Sequence, residues 1–473
     1  MPAIRGSGLR VDDIAAAARR CEPVTLDPAA RSRVAEEQAH ADAVAATRPI
    51  YGRSTGVGAN RQVAVPDADA AALGLLRSHA SSDGPARSEE RVRAMLVVRL
   101  NQLAAGGNGI DPAVLDAVVE LLDTGPLPRV REGGSIGTGD LAALATVALA
   151  LEDRHIGGRL FGPGDSLAFL SSNAGALGDA GLAVADLDRL ADAAVVVAAL
   201  TWHGVRGNPE AFSSAAEAAT PFPGAGRVCR VLRTLTDRAP GDLRLEPARI
   251  QDPFGLRCLP QVHGAFLDRL AETAAVVEKM AGAAAENPVI STRLGVAHHG
   301  GFHAAYLGQA LDALRLATAQ AAQLALARVS MLMDPASTGV AAFLADGTPG
   351  ASGALVLEYD AAAALGDLRA LATPASLQSV SLSRGAEEDA SFAALAARQA
   401  LACVPRLRSV LACELVAAHR CLRITGAALP EVLAPVRPAL ARLGGDLTDR
   451  DLTEDLATAA TLLDDLAGLA PRR

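Results

Sequence analysis

The sequence predicts an all-α protein, a bundle of long helices with a loop-rich N-terminal part. Three observations carry this. Alanine and leucine dominate, aromatic residues are only 3% of the chain, and the β-branched alternation of strands is rare. Apolar residues recur at the helical spacing of three and four over Arg91–Ala104, Leu182–Thr201, Pro260–Ala285, Gly308–Met333 and Phe392–Cys421. Several of these windows exceed the usual globular helix, and such helices need partners along their whole length. Their nearly all-round apolarity predicts burial on more than one face, by neighbouring helices or by other subunits. An oligomer is therefore expected.

A chain of 473 residues, 50% of them hydrophobic, can bury a large core. It carries 44 Lys+Arg against 53 Asp+Glu, net charge -9, with no basic run, which excludes a nucleic-acid backbone as partner. Cys21, Cys229, Cys258, Cys403, Cys413 and Cys421 show no CxxC pair, and no histidine set completes a zinc pattern, so buried free thiols are expected and no metal. The N-terminus lacks a signal-type apolar core, being interrupted by Arg5 and Asp12. Apolar stretches such as Ala193–Leu200 are short and flanked by Asp192 and His203, so no membrane span and a cytoplasmic location are expected.

Glycine and proline punctuate the chain at 51–58, 106–109, 133–139, 162–164, 221–226, 298–301 and 347–353. Helical proteins concentrate chemistry in such loops. A coarse division gives an N-terminal lid and loop region (1–175), a central long-helix body (176–430) and a C-terminal helical cap (431–473).

Tyr51 heads the glycine-rich run Tyr51–Gly58; a phenol there can act as general base on a mobile lid, or simply pack. His79 follows Ser78 in a helical pattern, where a structural histidine is the ordinary alternative. Gly133–Asp140 opens a helical run and lacks the lysine of a phosphate loop; its plain alternative is a helix start capped by Thr138 or Asp140. Gln251 and Arg257 lie among turn formers before a long helix, and Arg257 can hold a carboxylate or merely tie down a loop. His298, His299 and His303 lack a carboxylate at ligand spacing, against a metal site. Glu387, Glu388 and Asp389 sit beside an expected helix start, for dipole complementation or for recognition of a cationic or imidazole-type group.

Taken in order, these segments resemble the aromatic amino acid lyase family, whose members include histidine and phenylalanine ammonia-lyases. YGRSTGVG at 51–58 is similar to the family's lid, LLRSHA at 75–80 to its substrate-selecting helix, and GGSIGTGDLAAL at 133–144 to GSVGASGDLAPL. IQDPFGLRCLPQVHG at 250–264 is similar to VQDPYSLRCQPQVMG, and ENPVI, GGFH and RVSMLMD follow in family order. The resemblance covers residues 30 to 465 and implies a histidine ammonia-lyase/fumarase-like helical bundle. It further implies a homotetramer with composite active sites. Tyr51 then matches the β-proton base, Arg257 the carboxylate clamp, and His79 and Glu387 the imidazole-recognising pair. Phe302 and Asp140 match residues around the prosthetic group, and Asn173 an asparagine beside it.

That group, a methylideneimidazolone, forms in the family from an internal Ala-Ser-Gly. Here the segment is Gly137-Thr138-Gly139, one residue shorter. Cyclisation there would leave an ethylidene in place of a methylidene. Phe254, Gly301, Gly385 and Ala386 also replace polar residues of the family's site. The resemblance thus implies a carbon–nitrogen lyase for a histidine-like or other aromatic amino acid, or its betaine, working without the ordinary group. Ser78, His79, Glu387 and Arg257 suit an imidazole amino acid, and Glu388 a fixed cation. Two alternatives stand beside it: an ammonia-lyase or aminomutase using a group made from Gly137-Thr138-Gly139, and a non-catalytic binding or scaffold homologue.

Overall fold

A computed structural model describes residues 3–20, 23–236 and 249–470. Among the described residues the regular structure is helical apart from one small antiparallel hairpin, Val289–Ser291 with Gly295–Ala297. It divides into two compact units. The first comprises Met1–Ala185, Thr273–Asp312 and Pro374–Leu401; the second comprises Asp186–Glu272, Ala313–Thr373 and Ala402–Arg473. The helices Ala174–Gly204, Leu259–Ala281, Ala305–Met333 and Ala393–Thr425 each contribute residues to both.

The first unit is organised on helix Glu89–Ala105. Its start is set locally: Ser88 Oγ accepts from Arg91 N–H at 3.4 Å, and Glu89 and Glu90 complement the helix dipole. Every residue from Val92 to Ala104 is buried, polar ones included. Those polar side chains find partners, as burial demands. Arg93 donates to the carbonyls of Ala17 and Leu122 at 3.0 and 2.7 Å. Arg99 donates to Glu286 at 2.8 Å and to the Phe169 carbonyl at 3.0 Å.

In the second unit Ala193–Leu200 is buried on all sides, as its composition predicts. The Arg328 guanidinium meets the Glu414 carboxylate at 2.6 Å, with the two side chains 2% and 0% exposed. Thr201 Oγ1 donates to the same carboxylate at 2.9 Å, and Arg328 also donates to the Gly255 carbonyl at 3.1 Å.

Among the described residues no helix is long and apolar enough to cross a membrane, and no group of side chains is placed to hold a metal ion. Cys229, Cys403, Cys413 and Cys421 are buried free thiols; burial pushes Cys403 and Cys413 up to about 12, which keeps them protonated and inert. Cys258 is only half-buried, because it lies in the turn before Leu259, and Cys21 lies outside the described residues.

Two expectations are corrected. Asp140 precedes helix Leu141–Arg154 but does not cap it, and neither does Thr138. The Asp140 carboxylate instead accepts from Ala176 N–H at 2.7 Å, in the first turn of Ala174–Gly204. The acids at 387–389 do not complement a dipole either, since the following helix begins at Ala393 with no acid in its first turn.

Replacing Arg328 by alanine strands a buried carboxylate. It is expected to cost about 3–5 kcal/mol, whereas Arg328→Met with Glu414→Leu should cost clearly less. Chemical denaturation of the three proteins decides; equal losses would refute this account of the pair.

Candidate active site

The first unit contains a cavity of about 1230 Å³ whose wall includes Tyr51, His79, Thr138, Phe302 and Glu387. Ser78, Asn173 and Glu388 do not line it, and Gln251 and Arg257 belong to the second unit.

Tyr51 stands where the chain leaves helix Pro28–Ala45 and enters its glycine-rich loop. The base of this loop is fastened by Arg53, which donates to Asp42 at 2.6 Å and to the Gly109 carbonyl at 2.7 Å. The phenol oxygen accepts from Gly58 N–H at 2.8 Å. Burial, and next the negative charge of Glu387, raise the phenol above its ordinary 10.0, opposed by the Gly58 bond and by Arg61. A half-buried phenol with a donor on its oxygen yields more phenolate when its surroundings become more positive.

His79 ends helix Ala68–His79. Its Nδ1 lies 3.0 Å from the Leu75 carbonyl and 3.0 Å from Ser78 Oγ. With Nδ1 donating to that carbonyl, Nε2 is the ring's acceptor, open to a substrate N–H. Ser78 is itself exposed and touches the ring rather than the cavity. Glu387 lies on a tight turn where Leu382 and Glu387 pair through their backbones. Glu388 and Gln251 are exposed. Arg257 is half-buried, its guanidinium 4.6 Å from the Phe254 ring centroid, and its Nε has no partner among the described residues.

Thr138 projects from a loop that is pinned on both sides. Phe392 N–H donates to the Ile136 carbonyl at 2.8 Å, and the Gly137 carbonyl accepts from Ser391 Oγ at 2.9 Å and from Ala304 N–H at 3.3 Å. Asp140 N–H donates to the Ser172 carbonyl at 2.6 Å. Asp140 is fully buried; burial raises its carboxyl above the ordinary range, while Arg87, Ser135 and the Ala176 bond act against that. Gly137 has φ +88°, and a methyl on it would overlap Ser391 Oγ and come within 2.9 Å of the nitrogens of Phe392 and Ala393. The alanine of an Ala-Ser-Gly triad therefore has no room at this position, and Thr138 stands in place of the serine. The residues present do not supply the Ala-Ser-Gly from which the family's ordinary prosthetic group forms.

Asn173 is buried near this loop; its Nδ2 donates to the Phe302 carbonyl, and its Oδ1 is buried without a partner among the described residues. Two wall residues lie outside the site that the sequence predicts. His298 Nε2 accepts from Tyr51 N–H at 3.3 Å, and the two rings meet edge-on with centroids 6.4 Å apart. Burial, with Arg48 and His299, lowers His298 below its ordinary value, which favours the neutral ring that accepting from Tyr51 N–H requires. Ser383 accepts from Ala59 N–H at 3.0 Å. The pair His298-His299 was a visible signal, but only as a metal pattern; nothing local marks Ser383.

A helical bundle presenting a phenol, an imidazole and a carboxylate to one cavity defines a carbon–nitrogen lyase when set beside its relatives. A model of the family described as "Aromatic amino acid lyase" matches residues 9–159 and 150–442. Histidine ammonia-lyase of Streptomyces coelicolor is 34% identical over 96% of this chain and 94% of its own length. The structure of tyrosine aminomutase from Streptomyces globisporus matches with TM-score 0.92 at 26% identity, over 98% of this chain and 97% of that one. Ergothionase from Treponema denticola shares the fold, with TM-score 0.90 at 22% identity over 99% of each chain. The chain belongs to the aromatic amino acid lyase family.

Gly137→Ala is expected to destabilise the protein by about 1–3 kcal/mol through overpacking. Adding Ser391→Ala should recover only part, because the backbone nitrogens and the left-handed φ remain. Thermal unfolding midpoints read the effect; an unchanged midpoint for Gly137→Ala would show that the loop is not pinned as described.

Proposed function

We propose that this enzyme eliminates an amine from a histidine-like aromatic amino acid whose nitrogen is already a good leaving group, such as a trimethylated betaine. Tyr51 is its base. The observation that carries this reading is the joint presence of Tyr51, His79 and Glu387 on the wall of one cavity, beside a loop in which Gly137 leaves no space for the alanine of the ordinary Ala-Ser-Gly.

The step balances without a further reactant. Tyr51 phenolate takes the β-proton, the C–H electrons form the Cα–Cβ double bond, and the Cα–N bond breaks with its electron pair on nitrogen. A quaternary ammonium then departs as a neutral amine, leaving a trans acrylate, so no group is needed to draw electrons from it. His79 and Glu387 recognise the imidazole ring, with Ser78 setting the His79 ring and Glu388 adding negative charge near the cation. Phe302 walls the cavity, and Asn173 holds the Phe302 backbone. Thr138 faces the same cavity between Gly137 and Gly139, as a wall residue in the uncyclised chain. Arg257, with Gln251, holds the substrate carboxylate in a composite site of a cytoplasmic homotetramer. Support for assembly comes from large apolar side chains left exposed, Leu316 at 54% and Tyr359 at 67%.

Tyr51→Phe is expected to lower kcat/KM by at least about 10²-fold, the usual worth of a positioned base. Because the phenol of the free enzyme is held above 10.0, the wild-type kcat/KM should climb with pH from neutrality onward as phenolate forms. A rate that is flat between about pH 7 and 9 would remove Tyr51 from the role. The mass of the intact chain should equal that of the sequence. Loss of two waters would replace this proposal with an ammonia-lyase or aminomutase reading, and a Tyr51→Phe substitution that changes nothing measurable would replace it with the non-catalytic one.

A further inference from the structure

Three consecutive residues, Ser383, Arg384 and Gly385, have φ of +53°, +58° and +79°. Two of them carry side chains, in a conformation that L-residues avoid and that persists only where the surroundings enforce it. The turn they make folds the chain back on itself. Leu382 N–H donates to the Glu387 carbonyl at 2.9 Å, and Glu387 N–H to the Leu382 carbonyl at 3.3 Å. The same turn directs Ser383 Oγ at the lid, where it accepts from Ala59 N–H at 3.0 Å. Ala59 follows Gly58, whose N–H donates to the Tyr51 phenol oxygen at 2.8 Å. A Cβ on Gly58 would lie 2.7 Å from Ser383 Oγ, so the two backbones are seated closely around this one hydroxyl. Ser383 also lines the cavity, as do Tyr51 and Glu387.

We propose that Ser383 is a positioning residue whose hydroxyl latches the Tyr51 loop to the Glu387 turn, so that the phenol and the ring-recognising carboxylate are set as one unit. The proposal rests on the roles given above to Tyr51 and Glu387. The chain of contacts is short: carboxylate turn, Ser383 hydroxyl, Ala59 and Gly58 amides, phenol. It gives the left-handed turn a purpose, since an extended Ser383 would carry its hydroxyl away from the lid. Losing the hydroxyl frees Ala59 N–H and loosens the aim of Gly58 N–H at the phenol. That N–H stabilises the phenolate, so its loss moves Tyr51 to a still higher pKa.

The test uses the full chain and two readouts. Hydrogen–deuterium exchange without ligand should show the Ala59 amide exchanging about fivefold faster in Ser383→Ala, the worth of one net hydrogen bond. Ser383→Gly removes the same hydroxyl while relaxing the backbone, and it should show the same rise; it also serves if the alanine variant does not fold. Ser383→Asn tolerates the left-handed backbone and keeps an acceptor, so it should restore protection. In turnover of the trimethyl betaine of histidine, the ascending limb of the pH–rate profile should move to higher pH in Ser383→Ala and return in Ser383→Asn. Unchanged Ala59 exchange in both hydroxyl-free variants overturns the latch, as does a loss of rate with the limb unmoved. If the wild type fails to turn over the betaine, the substrate reading fails instead, and the exchange measurement alone decides the latch.

Discussion

The loop from Ile136 to Asp140 is held by chain segments far away in sequence, and the candidate site is built around it. Residues 391 and 392 grip it through Gly137 and Ile136, Ala304 grips the same Gly137 carbonyl, and Ser172 and Ala176 fix Asp140. These contacts bring the starts of three long helices, at Ala174, Ala305 and Ala393, against one five-residue loop. Phe302 and Glu387 lie just upstream of two of those starts, so their place on the cavity wall follows from the same clamp. Such a loop is expensive to alter, because each polar partner it loses would be left buried and unpaired. That cost also explains why Gly137 is closed to a side chain: Ser391 is pressed against it by the bond it makes to its carbonyl.

Much of the helical body was legible because its signals are local. The apolar period marks Gly308–Met333, and the helix runs Ala305–Met333; Arg91–Ala104 lies inside Glu89–Ala105. The errors have tertiary causes. The expected start at Leu182 is late, since the helix begins at Ala174 and its first turns carry Gly175, Gly178 and Gly181. Glycine argues against a helix by propensity, yet Gly178 is needed where the helix crosses Glu89–Ala105, as a Cβ there would lie 2.7 Å from Met95 N. At the other extreme, Pro260–Ala285 overshoots its end at Ala281. Ala283–Ala285 has the composition of a helix, but the chain must turn there to bring Glu286 to Arg99.

The candidate cavity's wall was legible where it coincides with a motif and hidden where it depends on pairing across the chain. Tyr51, His79, Thr138, Phe302 and Glu387 sit in segments that are distinctive by themselves, and all five reach one cavity. His298 and Ser383 act on the lid from positions 247 and 324 residues removed from their bonding partners. No periodicity or turn chemistry links residues so distant, and Ser383 gains its orientation only from a left-handed backbone that its sequence, Leu-Ser-Arg-Gly, does not announce.

The electrostatics of the cavity bear on what it is suited to hold. Burial first, and Glu387 after it, raise the Tyr51 phenol, and so reduce the readiness of the very group assigned to take a proton. In the free enzyme that is a handicap. A ligand with a fixed positive charge between them reverses it, because a cation near the phenol favours phenolate and offsets the carboxylate. A neutral amine brings no such charge, and a protonated one can discard it as a proton. A quaternary nitrogen cannot, so it both activates the base and serves as its own leaving group. On the proposed reading, the acid that recognises the ring adds to burial in keeping the phenol protonated, and a substrate of the right charge offsets its share.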